Sequence, residues 1–293
     1  PVHIPDKILK WISTKNWKLY KHQIKMFTNS ECSAQLLIAP TGSGKTLAGF
    51  LPTIADLYLN PSPTLHTLYI SPLKALASDI KRNLEAPINE LKLSITVEDR
   101  TGDTKQSLKK KQRVIPPNIL LTTPESLALL MSYPEAARIF STLKRIVVDE
   151  IHAIIESKRG DQLFLAISNI RKYCRNVKVI GLSATVNDPS LIAGWLTPEC
   201  DCEIIFSDSG LEPDVSILET SEPPPWAGSG GLYSIPEVIN EVEKHKTTLI
   251  FHNTRAQAEI FFHNLWLANS ENLPIAIHHG SLDKNQRKQV EAS

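Results

Sequence analysis

Ala39-Pro-Thr-Gly-Ser-Gly-Lys-Thr46 stands between a short apolar run over residues 35–39 and a stretch with 3.6-residue periodicity over residues 45–59. Glycines at such a strand-to-helix junction let backbone N–H groups approach phosphate oxygens, and the helix N-terminus favours negative charge. Lys45 is then placed to neutralise phosphates, and Thr46 to offer its hydroxyl to Mg²⁺. Ala39 departs from the general pattern, which has glycine there, and the alternative is a Gly/Ser turn that happens to end in Lys-Thr. The order of strand, loop and helix favours a phosphate-binding loop.

The first 206 residues repeat this alternation of short apolar runs and helical patterns. The runs that predict strands are 35–39, 65–71, 94–98, 118–122, 145–149 and 177–182. The stretches that predict helices include 45–59, 73–91 and 160–173. Such an alternation indicates an α/β fold, in which a buried parallel sheet carries helices on both faces.

A second, shorter region follows a segment rich in proline and glycine. Residues 221–231 read Ser-Glu-Pro-Pro-Pro-Trp-Ala-Gly-Ser-Gly-Gly, which sustains neither a helix nor a strand. We therefore expect a first domain over residues 1–206, a linker over 207–231 and part of a second domain over 232–293. The elements expected in the second domain are helices at 234–244 and 255–268, strands at 247–252 and 274–278, and a helix starting near Asp283.

The composition is that of an ordinary globular protein and gives no signal for nucleic acid by itself. The 293 residues include 32 Lys plus Arg and 31 Asp plus Glu, far from a strongly basic balance. The four cysteines form no CxxC pair, and Cys200-x-Cys202 lacks a second ligand pair, so we expect reduced thiols and no metal other than Mg²⁺. Every apolar run is shorter than a membrane span, and no signal peptide is evident. We expect a cytoplasmic protein without a membrane partner.

A second chemical motif, Arg145-Ile-Val-Val-Asp-Glu-Ile-His152, places two carboxylates at the end of a predicted strand. From a strand tip beside a phosphate loop, one carboxylate can hold Mg²⁺ while its neighbour orients the attacking water. We assign Asp149 to the metal and Glu150 to the water, as general base. Any buried strand can end in Asp-Glu, so this assignment depends on the phosphate loop upstream.

Together with these motifs, several further strings resemble one family. They are Tyr20-Lys-His-Gln23, Ser71-Pro-Leu-Lys-Ala-Leu76, Arg100-Thr-Gly-Asp-Thr104, Thr122-Thr-Pro-Glu-Ser-Leu127, Ser132-Tyr-Pro-Glu-Ala-Ala137, Lys158-Arg159-Gly160, Ser183-Ala-Thr185, Pro225-Trp-Ala-Gly228, Thr254-Arg255 and His278-His-Gly-Ser-Leu282. The chain resembles superfamily 2 DExH-box DNA helicases of the large helicase-related (Lhr) type, and most of all their bacterial ligase-associated DEXH-box branch. The resemblance extends over nearly the whole chain. It implies a complete first RecA-like domain with a phosphate loop, followed by a truncated second one.

The resemblance implies roles for individual residues around ATP and Mg²⁺. It places Gln23 at the adenine, although by residue type alone Gln23 is more typical of an exposed helix surface. It makes His152 a link between the ATP site and movement, whereas a lone histidine is more often an ordinary polar group. The implied ATP-binding residues are Gln23, Thr41, Gly42, Ser43, Gly44, Lys45 and Thr46, the catalytic ones Lys45, Asp149 and Glu150, the metal ligands Thr46 and Asp149, and the coupling residues His152, Ser183, Ala184 and Thr185.

The resemblance also implies contacts with a nucleic-acid strand. Loops that follow strand ends can hold phosphates through N–H groups, hydroxyls and cations without reading bases. The implied residues are Pro72, Lys74, Arg100, Thr101, Gly102, Thr123, Pro124, Glu125, Lys158, Arg159, Thr254, Arg255, His279 and Gly280. The implied partner is single-stranded or partly duplex DNA, with RNA left open, and family analogy adds a DNA ligase or a repair nuclease. The basic run at 105–113 is more typical of a solvated helix face.

We therefore expect a fragment of an ATP-dependent helicase that moves 3′ to 5′ and acts in DNA repair. In the family, the second domain supplies an arginine finger from a motif that has no match before Ser293. Such a finger contributes about 10³- to 10⁵-fold to hydrolysis in phosphate-loop enzymes, so we expect weak turnover from this chain alone. The alternatives are a catalytically deficient remnant that binds ATP and nucleic acid, and an RNA helicase.

Overall fold

The computed structural model describes residues 4–28, 32–184, 186–197, 201–207, 214–226, 230–283, 286–287 and 289–290. The chain divides into two compact units, Pro1–Glu212 and Pro213–Ser293.

A parallel β-sheet of seven strands forms the centre of the first unit. The strands are β1 (Ala34–Ile38), β2 (Thr67–Ile70), β3 (Val97–Arg100), β4 (Ile119–Thr122), β5 (Arg145–Val148), β6 (Lys178–Ser183) and β7 (Cys202–Phe206). Their order across the sheet is β3-β4-β2-β5-β6-β1-β7. Every residue of β1, β2 and β4 is buried, as a sheet covered on both faces requires. The predicted α/β fold is confirmed.

Helices cover both faces of this sheet. They are α1 (Asp6–Thr14), α2 (Lys21–Thr28), α3 (Lys45–Leu59), α4 (Lys74–Glu90), α5 (Gln106–Val114), α6 (Pro124–Met131), α7 (Ala136–Phe140), α8 (Lys158–Tyr173) and α9 (Pro189–Leu196). Successive side chains of a strand point to opposite faces. Leu37 therefore packs in one cluster with apolar residues of α1, α3 and α4, and its neighbour Leu36 packs in another with those of α6, α8 and α9.

The two edge strands differ from the sequence prediction. The sequence predicts a strand at 94–98, where the structure has β3 at Val97–Arg100, and it predicts none at β7. Both strands are only partly covered: in each, one residue is fully buried. Apolar alternation is weak on such an edge. The register is set instead by pairing, of Val97 with Ile119 in β4 and of Cys202 with Ala34 in β1.

The second unit contains the helices α10 (Ile235–Lys244) and α11 (Arg255–Ala268). Both helices occur where the sequence predicts them. The strands predicted at 247–252 and 274–278 are wrong, because neither segment forms a β-ladder with the described residues. A strand needs a hydrogen-bonded neighbour, and apolar residues of the first segment stay uncovered, with Leu249 75% and Phe251 86% exposed. The helix predicted to start near Asp283 falls largely on residues outside the described ranges.

Within the described ranges, no helix combines the length and the apolar character that crossing a lipid bilayer requires.

Candidate functional site

The sequence-predicted site residues of the first unit gather at one edge of its sheet. Because the strands are parallel, the loops that follow their carboxyl ends lie on the same side. The predicted phosphate loop follows β1, the carboxylate pair follows β5, and β6 lies between these two strands. Ala39 N donates a hydrogen bond to Ser183 O at 3.0 Å, which joins the phosphate loop to the end of β6.

The phosphate loop depends on glycine at two positions. Gly42 and Gly44 have φ angles of +80° and +75°, a left-handed region that strains other residues. A Cβ atom at Gly44 would also lie 2.7 Å from Gln23 Nε2. The turn brings Lys45 inward: its side chain is buried, and Nζ donates to Ala39 O at 2.9 Å. A buried ammonium group at a helix N-terminus is suited to an anionic ligand.

The two carboxylates after β5 lie beside this lysine. Glu150 Oε1 is 3.9 Å from Lys45 Nζ. Asp149 is buried, and each of its carboxylate oxygens accepts a hydrogen bond, Oδ1 from Glu150 N at 2.9 Å and Oδ2 from the Tyr69 hydroxyl at 2.5 Å. Burial and the neighbouring Glu150 charge raise the pKa of Asp149, and the Tyr69 hydrogen bond opposes them. Burial and the Asp149 charge raise the pKa of Tyr69, so its hydroxyl stays protonated and donates.

Gln23 is only 3% exposed, so the interpretation of this residue as an exposed helix-surface residue is wrong. Its Oε1 accepts a hydrogen bond from Tyr20 N at 2.9 Å, and its Nε2 donates to Gly44 O at 3.2 Å. The amide is therefore fixed against the phosphate loop, next to the Tyr20 ring, which stacks on His22.

One cavity of about 1120 Å³ joins these groups. Its lining includes Gln23, Thr41, Gly42, Gly44, Lys45, Thr46, Asp149 and Glu150, together with the aromatic residues Trp11, Trp17, Tyr20 and Phe50. A nucleoside triphosphate fits this combination, since aromatic and amide groups suit a base, whereas the glycine turns and the buried Lys45 suit phosphates. Mg²⁺ fits too, because Thr46 and Asp149 supply the hard oxygen ligands that it prefers.

His152 connects this carboxylate pair to the end of β6. Its Nδ1 lies 3.5 Å from Glu150 Oε2 and 3.2 Å from Ser183 Oγ, and Ala184 N donates to it at 3.4 Å. The structure thus brings three of the four predicted coupling residues together beside Glu150. The fourth, Thr185, lies outside the described residues.

Three of the residues predicted to bind a nucleic-acid strand lie close together near the carboxyl ends of the β-strands. Pro72 follows β2, Glu125 lies in the first turn of α6 after β4, and Arg159 lies in the first turn of α8. Arg159 Nε donates to Glu125 Oε1 at 2.5 Å, and Arg159 Nη2 donates to Pro72 O at 2.7 Å. One guanidinium therefore joins the loop after β2 to the first turns of α6 and α8. Burial raises the pKa of Glu125, but the hydrogen bonds from Arg159, from its own backbone and from Thr123, together with the Arg159 charge, outweigh burial and leave that pKa below its ordinary value.

Arg100 is placed differently from this group. It is 2% exposed, and Nη1 donates to Lys109 O and Gln112 Oε1 of α5 at 2.9 and 3.2 Å. Its guanidinium is buried inside the first unit and does not face solvent, where a nucleic-acid strand could contact it. Of the remaining candidates, Thr101, Thr123 and Pro124 are buried, Gly102 and Lys158 are exposed, and Lys74 begins α4 with a side chain outside the described part of the structure.

Four predicted strand-binding residues lie close together in the second unit. Thr254 caps α11 by accepting a hydrogen bond from Gln257 N, and Arg255 Nη1 donates to Ser281 Oγ at 2.6 Å. A Cβ atom at Gly280 would lie 3.3 Å from Arg255 Nη2, and His279 Nε2 lies 3.0 Å from Glu259 Oε1.

No sequence motif points to Tyr69, although this residue contacts Asp149 directly. The only signal in the sequence is a phenol within the apolar run 65–71. A buried phenol needs a hydrogen-bond partner, but sequence alone does not show which one.

This chain is similar to several known proteins. A sequence profile of the DEAD/DEAH box helicase family matches residues 20–192. An ATP-dependent helicase Lhr-Core protein 2 of Thermococcus barophilus is 36% identical and an ATP-dependent helicase Lhr-Core of Saccharolobus solfataricus is 37% identical, each over 87% of this chain. The chain spans 32% of the length of each of these relatives. The structure of Mycobacterium smegmatis helicase Lhr bound to ssDNA and AMP-PNP superposes with a TM-score of 0.82 at 31% identity, covering 99% of this chain and 40% of that one.

Proposed function

The chain belongs to the DEAD/DEAH box helicase family, and we propose that it binds Mg-ATP and a nucleic-acid strand and couples ATP hydrolysis to 3′-to-5′ movement along that strand. The observation that carries this proposal is a cavity that is lined both by the phosphate loop and by Asp149 and Glu150. We further propose that residues 1–206 form the first RecA-like domain, that 207–231 form a linker, and that 232–293 belong to a second.

In this proposal the phosphate loop holds the triphosphate, and Lys45 neutralises the charge of its terminal phosphates. Thr46 and Asp149 hold Mg²⁺, which when bound stabilises negative charge on the phosphate oxygens. Glu150 accepts the proton of the attacking water, a role favoured by its place in the cavity beside Lys45. Gln23, which is fixed at Gly44, is positioned to recognise the base.

The coupling role is assigned to His152, Ser183, Ala184 and Thr185. His152 contacts both the proposed general base, Glu150, and the end of β6. A movement of Glu150 on hydrolysis can therefore be passed through His152 to β6. In this proposal, ATP binding closes a cleft in the protein and hydrolysis reopens it. The protein then alternately tightens and releases its hold on the nucleic-acid strand.

The proposed strand is single-stranded DNA. The structure of the Mycobacterium smegmatis helicase Lhr, which is 31% identical to this chain, contains ssDNA and AMP-PNP. In this chain, the residues joined by Arg159 lie near strand ends, where contacts with phosphates need not read bases. A function in DNA repair and an association with a DNA ligase or a repair nuclease stay predictions that rest on the family resemblance, as does the alternative of an RNA strand.

The Lys45→Ala variant, which lacks the ammonium group, tests whether the phosphate loop binds the nucleotide. We expect Lys45→Ala to weaken binding of a fluorescent ATP analogue by at least about 100-fold, because the buried charge that faces the phosphates is gone. Lys172→Ala, which removes an exposed charge at the end of α8, is the matched control and should leave the affinity unchanged. Unchanged nucleotide affinity in Lys45→Ala would refute the phosphate-loop assignment.

A catalytically silent module that binds nucleotide and nucleic acid is the second candidate. It is favoured by the small core of the second unit, in which three hydrophobic residues are buried among those described: Ile235, Phe261 and Leu265. Nucleotide binding that depends on Lys45, without any turnover above that of Glu150→Gln, would select this candidate.

A further inference from the structure

We infer that Tyr69 is a positioning residue for the Mg²⁺ ligand Asp149, and that its hydroxyl sets how strongly Mg²⁺ tightens nucleotide binding. This inference rests on the proposed function, since it concerns the same site. Tyr69 does not line the cavity, so any effect that it has on the metal must pass through Asp149.

The contact comes from the neighbouring strand of the sheet. Tyr69 lies in β2, paired with Val147 of β5, and its hydroxyl donates to Asp149 Oδ2 at 2.5 Å. Glu150 N donates to the other oxygen, Oδ1, at 2.9 Å. With one hydrogen bond on each oxygen, the carboxylate cannot rotate without breaking one of them, while each oxygen keeps a second lone pair for a cation. A ligand held in this way loses little freedom when the metal binds.

The same tyrosine is held rigidly from its other side by α3. Its ring stacks on Phe50 with centroids 4.6 Å apart and an angle of 14° between the planes. Phe50 lies four residues after Thr46, so the two side chains share one face of α3, one turn apart, and both line the cavity. Tyr69 therefore spans the two elements that provide the proposed metal ligands, with its ring on α3 and its hydroxyl on Asp149.

Packing alone does not require the hydroxyl. Tyr69 is 0% exposed in a strand that otherwise reads Thr-Leu-Ile, and a phenylalanine would fill the same space against Phe50. Burying a hydroxyl has a desolvation cost that only a good partner offsets. The partner here is the proposed metal ligand itself, which favours a role in the site over a role in the core.

The test measures metal dependence by binding and needs no turnover. The affinity of the full chain for a fluorescent ATP analogue is compared in EDTA and in saturating Mg²⁺, for wild type, Tyr69→Phe and Asp149→Asn. We expect Tyr69→Phe to bind like wild type in EDTA, and the factor by which Mg²⁺ tightens binding to fall by about tenfold, as for other outer-shell partners of metal ligands. Because Tyr69 acts through Asp149, adding Tyr69→Phe to Asp149→Asn should cause no further fall.

Tyr133→Phe is the matched control, because Tyr133 is a partly buried tyrosine of the same unit whose ring faces Arg113 away from the cavity. An unchanged Mg²⁺ factor in Tyr69→Phe would overturn the inference, as would an equal loss of affinity in EDTA. Loss of cooperative thermal unfolding in Tyr69→Phe, restored in the double variant, would assign the bond to the fold and overturn the inference too. Wild-type protein that binds no nucleotide would instead refute the proposed function.

Discussion

Glu150 adopts a backbone conformation that few residues other than glycine occupy. Its φ angle is +45° and its ψ angle +43°, in the left-handed region, where an L side chain costs about 1 to 2 kcal/mol. The cost is tolerated where surrounding contacts over-determine the conformation. Here the Glu150 amide bonds Asp149, and the carboxylate lies between Lys45 and His152. The strain therefore falls on the residue that we propose as the general base.

A second residue-scale feature predicts how stability depends on pH. Burial raises the pKa of Asp56, but its interactions with His66 and Arg145 outweigh burial and hold that pKa at about 2, below its ordinary 3.8. Arg145 Nη1 lies 2.5 Å and His66 Nε2 lies 3.7 Å from Asp56 Oδ2. Since the folded pKa is the lower one, this stabilisation is complete above pH 3.8 and is lost as pH falls toward 2.

We expect the free energy of unfolding to fall between pH 5 and pH 2 by about 1 kcal/mol more in wild type than in Asp56→Asn, since the partly exposed carboxylate is screened by solvent. Urea unfolding at a series of pH values measures the difference. The ion pair of Lys244 with Glu241 is exposed on α10, so Glu241→Gln serves as control and should follow wild type. An Asp56→Asn variant as acid-sensitive as wild type would contradict the assignment.

At the scale of elements, Arg159 connects the loop after β2 and the first turn of α6 with the start of α8. The side chains of Arg159 and Glu125 are 39% and 52% exposed, so their ion pair adds little to stability. We expect Arg159→Ala to change the melting temperature by less than about 3 °C, and yet to weaken single-stranded DNA binding by about tenfold. Fluorescence anisotropy of labelled DNA measures the affinity.

Lys172→Ala is the charge-matched control for this variant, because Lys172 lies in the last turn of the same helix. It should lower DNA affinity much less than Arg159→Ala. Equal losses in the two variants would show that only net charge matters, and that the link of Arg159 to Pro72 and Glu125 does not.

The sequence predicts the central elements well and the edges poorly. Strands β1, β4 and β5 lie within one residue of their predictions, because an apolar run between turn signals is strong evidence for a buried strand. The bounds of β3 and β7 depend on their register with the neighbouring strands. This register comes from pairing across the sheet, which the local sequence pattern does not contain. For the same reason the phosphate loop was predictable from its own residues, whereas the contact of Tyr69 with Asp149, 80 positions away, was not.

At the scale of the whole molecule, the two units differ in how much core they bury. The first unit buries two large hydrophobic clusters, one on each face of its sheet. In the described part of the second unit, the cluster has three buried members. Residues 214–226, at the start of the second unit, form no helix or strand, and Val215 and Ile217 are 82% and 92% exposed.

We therefore expect limited chymotrypsin digestion to cut first within 214–226, at Leu218 or Trp226, and to leave a fragment that carries the whole first unit. Mass spectrometry of the products locates the cut. Trp226→Ser should slow cleavage at that position without changing the melting temperature, because the Trp226 side chain is fully exposed. A first cut inside residues 32–184 would contradict this account of the two units.

The proposed hydrolytic function is tested by the ATPase rate of the chain, measured with and without single-stranded DNA for wild type and Glu150→Gln. We expect slow turnover that DNA increases, and a fall of about 100-fold or more in Glu150→Gln with nucleotide binding retained, because the proposed general base is gone while Lys45 and the phosphate loop remain. Turnover that survives Glu150→Gln unchanged would show that Glu150 is not the general base.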